Sequence, residues 1–303
     1  MPRIAILFAA YNGMQWIEMQ LNSILEQKNV SVKIFISVDP STDETLAWSQ
    51  AMALRHACVE VLPFGERFGG AAPNFFSMFR EVDFSDFDYV GLADQDDIWL
   101  PDKLFRAHQV LLKTDADAYS SNVTAFWADG RQMLIQKSQK QVKWDFLFEA
   151  AGPGCTYVIR KQLACAIQSL IRRRWSDVCQ VGLHDWFVYA YARANGYQWV
   201  IDDQPGLLYR QHEKNQVGVN IGWRASLHRA RKILGGWGLS QSALIAELVG
   251  LGRQPFVQKW SSGSRAGLLS LSLHAWQCRR RLRDKMLFAL SCAALLLSGG
   301  RRS

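Results

Sequence analysis

Tyr89-Val90-Gly91-Leu92-Ala93-Asp94-Gln95-Asp96-Asp97-Ile98-Trp99 is an apolar run that stops in three carboxylates within four residues. Packed acids at the end of a buried strand repel one another, and they either surface into water or gather a cation. In open α/β sheets the carboxyl ends of strands are where ligands bind. Oxygen donors at this density suit Mg2+ or Mn2+, and Mg2+ is commonly held by one or two carboxylates together with substrate phosphates. The stretch therefore proposes a divalent metal and a phosphorylated ligand together.

Upstream, the same grammar repeats. Ile4-Ala5-Ile6-Leu7-Phe8-Ala9 is an uninterrupted apolar run ending at Ala10-Tyr11-Asn12-Gly13, the mark of a strand buried on both faces and followed by a turn. A helix through Trp16, Leu21 and Leu25, a strand at Val32–Val38, a helix through Leu46 and Leu54 capped at Ser41 or Thr42, and a strand at Val59–Leu62 follow. The glycine-rich loop from Gly65 to Pro73 leads to a helix from Asn74 to about Arg80, and another helix begins near Lys103. Strands alternating with helices over the first 112 residues predict a parallel, doubly wound sheet. Four strand ends then lie on one rim: Ala10, Tyr11 and Asn12, then Asp39, then Arg67, then Asp94 and Asp96. An aromatic ring, a carboxylate for a base N–H, a cation and a metal site converge there, which fits a nucleotide.

The second half is less regular. It offers a strand at Ala118–Phe126, a turn at Asp129-Gly130, a loop at Gly152–Thr156 that either lets an acceptor approach or is a plain turn, a strand at Tyr157–Ile159 and a helix through Leu163 and Leu170. A helix opens at His184-Asp185-Trp186, and short strands at Trp199–Ile201 and Leu207–Tyr209 end in Arg210-Gln211-His212. Beyond Gly222 the composition turns to Arg, Leu, Gly and Ser, placing a boundary near 220, with helices expected at 223–234, 240–252 and 265–298. Residues 222–303 hold 14 Lys/Arg against 2 acids, and residues 1–221 hold 21 against 25, so the formal charge of +8 belongs to the tail.

Six scattered cysteines without a CxxC pair, and no signal-like start, favour reduced thiols in a cytosol. No window reaches the 18–20 apolar residues or so that a spanning helix needs. Apolar segments flanking Arg279-Arg280-Arg281 and Arg283 fit a helix lying on an anionic membrane surface, with a helical hairpin packed on the catalytic domain as the plainer alternative. No nucleic-acid-binding module is recognisable.

At these distances, Ala10-Tyr11-Asn12-Gly13, Asp39 to Thr45 and Asp94-Gln95-Asp96-Asp97-Ile98-Trp99 resemble the family 2 glycosyltransferases. With His184-Asp185-Trp186-Phe187 and Tyr209-Arg210-Gln211-His212, the chain is most similar to the bacterial rhamnosyltransferase-like subgroup. The resemblance covers about residues 3–220. It implies a GT-A fold over residues 1–221 with a basic helical extension at 222–303, and an inverting, metal-dependent enzyme using a nucleotide-sugar donor, dTDP-rhamnose first. The acceptor would be a saccharide or polyprenyl-linked glycan in polysaccharide or O-antigen assembly, and the location the cytoplasmic membrane surface. Tyr11 and Asp39 would hold the base, Asp94 the ribose or metal, Asp96 the metal, and His212 the metal or diphosphate. Asp185 would be the catalytic base, with Arg210 and Asn215 weaker members of a closing loop. Val38 and Pro40 depart from the family pattern at the second strand end, and His184 from the usual pair before the base; these bear on base identity. The competing readings are a nucleotidyltransferase, whose basic glycine-rich loop at the first strand end is missing, and a non-catalytic binding scaffold.

Overall fold

The computed structural model describes residues 1–65, 67–212 and 236–297. Its first half follows the predicted alternation: β1 (Arg3–Ala10), α1 (Ile17–Leu25), β2 (Ser31–Val38), α2 (Thr45–Arg55), β3 (Val59–Val61), α3 (Ala71–Glu81), β4 (Tyr89–Asp94), β5 (Ile98–Trp99) and α4 (Lys103–Thr114). Then come β6 (Ala118–Ser121), β7 (Val123–Phe126), β8 (Gln132–Ile135), β9 (Val158–Arg160), α5 (Lys161–Arg173), α6 (Trp175–Val178), α7 (His184–Ala194), β10 (Trp199–Asp202) and β11 (Leu207–Arg210). The C-terminal part holds α8 (Trp237–Leu248), α9 (Pro255–Ser261), α10 (Arg265–Leu273), α11 (Ala275–Cys278) and α12 (Leu282–Leu297).

Seven strands form the main sheet in the order β10-β6-β9-β4-β1-β2-β3. β1 pairs in parallel with β2 and β4, and β2 with β3, whereas β9 runs antiparallel to both β4 and β6. The register sets Ala9 beside Ser37 and Asp94, so the ends of β1, β2 and β4 arrive level at one edge. Ile4 to Phe8 are wholly buried, as a strand covered by helices on both faces requires. α3 contributes Phe75, Phe76 and Phe79 to one core, each fully buried and stabilising by about 1.5–3 kcal/mol.

The expected strand over Ala118–Phe126 is broken at Asn122. There the chain leaves the main sheet for a second one, ordered β5-β11-β7-β8. The buried Asn122 amide makes the corner: its Nδ2 donates to the Asp203 carbonyl at 2.7 Å, and its Oδ1 accepts from Lys137 N at 2.6 Å and Ser138 N at 3.0 Å. α2 also starts later than expected, without Ser41 or Thr42 as cap, because both residues are drawn into the neighbouring strand end.

The tail differs most from expectation. The segment 265–298 is three helices rather than one, broken at His274 and at Arg279–Arg281, and the helix expected over 223–234 lies outside the described residues, as does the boundary near 220. α10 and α12 pack together as a hairpin, and Ile245, Trp260, Leu271, Cys278 and Cys292 belong to the same core as α3, α5 and α7. Arg279 and Arg280, expected to face lipid, turn inward. Arg280 pairs with Asp145 at 3.5 Å and Glu149 at 3.6 Å, and Arg279 approaches Glu149 at 3.9 Å. No helix among the described residues is long and apolar enough to cross a membrane.

Candidate active site

At the end of β1, Ala10 is buried and Tyr11 is 51% exposed, its ring open to a ligand. Asn12 follows in the left-handed region at φ 46°, a conformation Asn tolerates better than most residues. This bend clips three loops together. Asn12 N donates to Ser41 Oγ at 3.0 Å, Thr42 N donates to Asn12 Oδ1 at 2.7 Å, and Gly13 N donates to Thr45 Oγ1 at 2.8 Å. Gln95 clasps Tyr11 from the acidic turn, its Oε1 accepting from Tyr11 N and its Nε2 donating to Tyr11 O, both at 2.7 Å. A Cβ on Gly13 would collide with Gln95 Oε1. Sequence reasoning missed Gln95, although the pairing of Ala9 with Asp94 places it opposite the residues after β1.

Asp39 is buried, and both its oxygens are engaged: Oδ1 accepts from Phe68 N at 3.0 Å and Oδ2 from Gly69 N at 2.9 Å. It therefore folds the glycine-rich loop over the rim, while each oxygen keeps a second lone pair for a base N–H. Arg67 is exposed on that loop, and the nearby Glu60 of β3 pairs with Lys33 at 3.1 Å.

In the acidic turn, burial together with the charges of Asp96 and Asp185 pushes the Asp94 carboxyl up to about 8. Asp96 meets His212 at 2.8 Å, and the His212 ring stacks on Trp16 at 4.0 Å between centroids. Arg210 Nε donates to the Asp96 carbonyl at 2.9 Å, and its guanidinium lies over Phe126. Asp97 points inward from the acidic turn rather than to its surface. It is wholly buried and accepts from Arg210 N at 3.2 Å, fixing the 210–212 strand end beneath the rim. Burial and the neighbouring carboxylates hold it far above the usual carboxylate range.

The donor set fits a hard divalent cation. Asp94, Asp97 and Cys155 offer ligand atoms within 4.8 Å of one another, and Asp96 with His212 forms a second pair. Burial and Asp97 raise the Cys155 thiol far above its ordinary value, so it stays protonated and is a poor ligand. The oxygens of Asp94 and Asp96, with the His212 imidazole, are the residues that would hold Mg2+ or Mn2+.

Asp185 lies in the first turn of α7, on a different element from the strand-end rim but within electrostatic reach of Asp94. Burial raises it to about 6, against the opposing effects of the hydrogen bond from Trp186 N to its Oδ1, 2.7 Å, and of the Lys137 charge. His184 is a core histidine rather than a polar contact: it stacks on Phe75 at 4.0 Å, and burial lowers it to about 3. Gly154 explains itself here, since a Cβ at that position would stand 2.5 Å from His184 Nε2 and 3.3 Å from Asp185 Cβ. Gly152 likewise faces the Lys137 stem. Both glycines serve side chains of this protein, which neither earlier alternative for the loop anticipated. Lys137 and Trp16 lay in no motif, and Gln95, though inside the quoted acidic motif, was given no role; Asn215 lies outside the described residues.

Tyr11, Asp39, Asp94 and Asp96 at the strand ends, with Asp185 in electrostatic reach, fit the class of nucleotide-sugar transferases. Residues 2–143 match the family model described as glycosyltransferase like family 2. The chain is 42% identical over 283 residues, 93% of its length and 97% of the relative's, to the dTDP-rhamnosyl transferase RfbG of Shigella flexneri. It belongs to the family 2 glycosyltransferases and is a nucleotide-sugar glycosyltransferase. In fold it is similar to S. aureus TarS 1-349 in complex with UDP, at TM-score 0.55 and 13% identity over 99% of this chain and 93% of that one. It is also similar to the mannosyltransferase PcManGT from Pyrobaculum calidifontis in complex with GDP-Man and Mn2+, at TM-score 0.50 and 16% identity over 98% and 87%. The fold is thus GT-A, with additional C-terminal helices.

Proposed function

We propose that the protein transfers rhamnose from dTDP-rhamnose, with inversion, to a saccharide or polyprenyl-linked glycan acceptor in cell-surface polysaccharide or O-antigen synthesis. The observation that carries the reading is the opposition of two charged ends: Asp96 with His212 at 2.8 Å on the donor rim, and Asp185 across from Asp94. Tyr11, Asp39 and Arg67 are the proposed nucleotide contacts, with Ala10 and Asn12 shaping the rim and Arg210 bracing it. Asp94, Asp96 and His212 would hold Mg2+ or Mn2+, which when bound stabilises negative charge on the departing diphosphate as a Lewis acid. Asp185 takes the proton from the acceptor hydroxyl on the opposite side of the sugar ring from the leaving group, and a carboxyl poised at about 6 is ionised and still basic at neutral pH. The donor assignment is supported by the rhamnosyl relative, and metal use by the Mn2+ complex of the structural neighbour.

In this reading residues 1–221 form the catalytic unit and 222–303 a helical extension that meets the membrane. The hairpin of α10 and α12 exposes Leu269, Leu273, Met286, Leu287 and Leu290, with Arg265 and Arg283 beside them. Apolar side chains rimmed by cations suit the interface of an anionic bilayer.

The test is a thermal-shift series of dTDP, UDP, GDP and their sugars with and without Mn2+, followed by product analysis with the best donor. Mn2+-dependent stabilisation strongest with dTDP-rhamnose is expected. Binding without turnover on any acceptor would favour the scaffold reading, and nucleotide addition to a sugar phosphate the nucleotidyltransferase.

A further inference from the structure

We propose that Lys137 marks an anion subsite on the acceptor side of Asp185, taking a phosphate or carboxylate carried by the acceptor. The inference rests on the glycosyltransferase reading and extends it from the donor to the acceptor.

Lys137 follows β8, and its backbone is pinned by the hydrogen bond from its N–H to Asn122 Oδ1. Its stem lies on Gly152, where a Cβ would stand 3.6 Å from Lys137 Cγ. Two residues on, Gly154 packs against Asp185. One short turn thus carries the lysine on its first glycine and the proposed base on its second.

Around this half-buried ammonium the charge is unbalanced. Burial disfavours its charged form most, and Arg280, Arg281 and Arg279 all repel it. Glu149, the carboxylate that favours it, is already committed to Arg279 at 3.9 Å and Arg280 at 3.6 Å. Among the described residues the Lys137 ammonium has no hydrogen bond or ion pair of its own. Arg280 Nε is buried without a hydrogen-bond partner on the same wall. Asp185 cannot serve as the permanent counter-charge, since a base is neutralised when it takes a proton. Buried cations left in excess are stabilised by an incoming anion.

The anion does not come from the donor. The diphosphate end of the site is built from Asp96 and His212 on the opposite rim, whereas Lys137 shares its turn with the residue that meets the acceptor hydroxyl. The acceptor's own charged group is the ligand this position fits.

The experiment uses the full-length protein saturated with dTDP and Mg2+, titrated by calorimetry with phenyl phosphate and with methyl β-glucuronide. One of the two anions should bind, and which one does so tells phosphate from carboxylate. Lys137→Met should weaken that binding at least about tenfold, the scale of losing one charge-assisted contact, while Lys137→Arg retains it. Affinity for dTDP, measured first in the same cell, should be unchanged in both variants; if the methionine variant does not fold, Arg281→Gln should show the loss at about threefold. Failure of the wild type to bind dTDP overturns the donor reading and the subsite with it. Intact dTDP binding with no anion bound, or with equal binding by Lys137→Met, overturns the subsite alone.

Discussion

The two walls of the cleft are built by different means. The donor rim is assembled from the ends of β1, β2 and β4 within the first hundred residues, where sheet register delivers Tyr11, Asp39 and Asp94 to one edge and short loop-to-loop hydrogen bonds lock them. The proposed acceptor wall is drawn from Lys137, the Gly152–Gly154 turn, Asp185 and the C-terminal arginines, segments far apart in sequence that meet through side-chain packing and the ion pair of Arg280 with Glu149. A rim made by register tolerates changes in its loops. A wall whose parts meet by packing transmits each small displacement to Asp185, the proposed base.

The comparison can be broken first at its two chemical ends. Asp185→Asn should lower kcat by about 10²–10⁴ with dTDP affinity within about twofold, as removal of a general base from an otherwise intact donor site requires. Asp96→Ala should instead abolish metal-stimulated transfer and weaken nucleotide binding together, a loss of about 10³ in kcat/KM by analogy with removal of a key electrostatic group. If both variants lost nucleotide affinity equally, the walls would not be separable. Asp185→Asn should also stabilise the fold. The folded carboxyl, at about 6, lies above its unfolded value, so its favourable contribution is complete below the unfolded value and is lost as pH rises through 6. At pH 8 the neutral amide removes that penalty, worth about 1–3 kcal/mol, and urea denaturation of the two proteins would measure it.

Packing sensitivity is tested by Gly154→Ala. The new methyl would stand 2.5 Å from His184 Nε2, and His184 cannot retreat because it is stacked on Phe75 in the core. Displacement passes to Asp185, and a shift near 1 Å in a reacting group costs about 10²-fold in rate. We expect kcat to fall by one to two orders of magnitude with the KM for donor unchanged. Gly13→Ala on the donor rim meets only the end of the Gln95 side chain, whose rotation gives up its two hydrogen bonds to Tyr11 but leaves the strand register in place, so it should cost less, about threefold.

The same contrast governs what could be read from the sequence. Uninterrupted apolar runs, strand ends and the Asp94–Asp97 cluster are local signals, so the parallel sheet and the proposed donor rim were legible, and the ordered motifs carried the family. Asp185 was placed by resemblance, because an acid in the first turn of a helix is by itself ordinary. Lys137 had no legible role at all: its meaning depends on a corner at Asn122 and on a tail more than 140 residues away. The inward turn of Arg279 and Arg280 was equally hidden, since a run of arginines reads as a solvated face until Asp145 and Glu149 are known to lie opposite. Gly152 and Gly154 were visible as glycines, but the side chains that require them were not.

A slower sharpening concerns pH. With Asp185 as base, kcat should fall about tenfold per unit below pH 6 and level off above it. The groups acting on Asp185 are the Trp186 N–H and the Lys137 ammonium, both favouring its ionised form, with burial opposing them. Lys137→Met should therefore move the acid limb upward, read from the pH dependence of kcat at saturating donor.

The smallest expected effect on catalysis, and the one that separates the tail from both walls, is at the exposed hairpin face. Truncation near residue 222 is a poor test of membrane binding, because it would strip Trp260, Leu271 and Cys278 from the core shared with α3 and α7. Replacing Leu273 and Leu290, 77% and 63% exposed, with Gln leaves that core untouched. Each leucine placed in a bilayer interface contributes at most about 1.5–3 kcal/mol by burial, so the double variant should float with phosphatidylglycerol-containing vesicles at least tenfold less than the wild type. Transfer to a soluble acceptor should stay within about twofold, since surface substitutions away from buried networks typically change stability by no more than 0.5 kcal/mol or so. Equal flotation of both proteins would remove the hairpin from the membrane contact, and a matching loss of soluble transfer would mean that the hairpin supports the acceptor wall through Arg279 and Arg280.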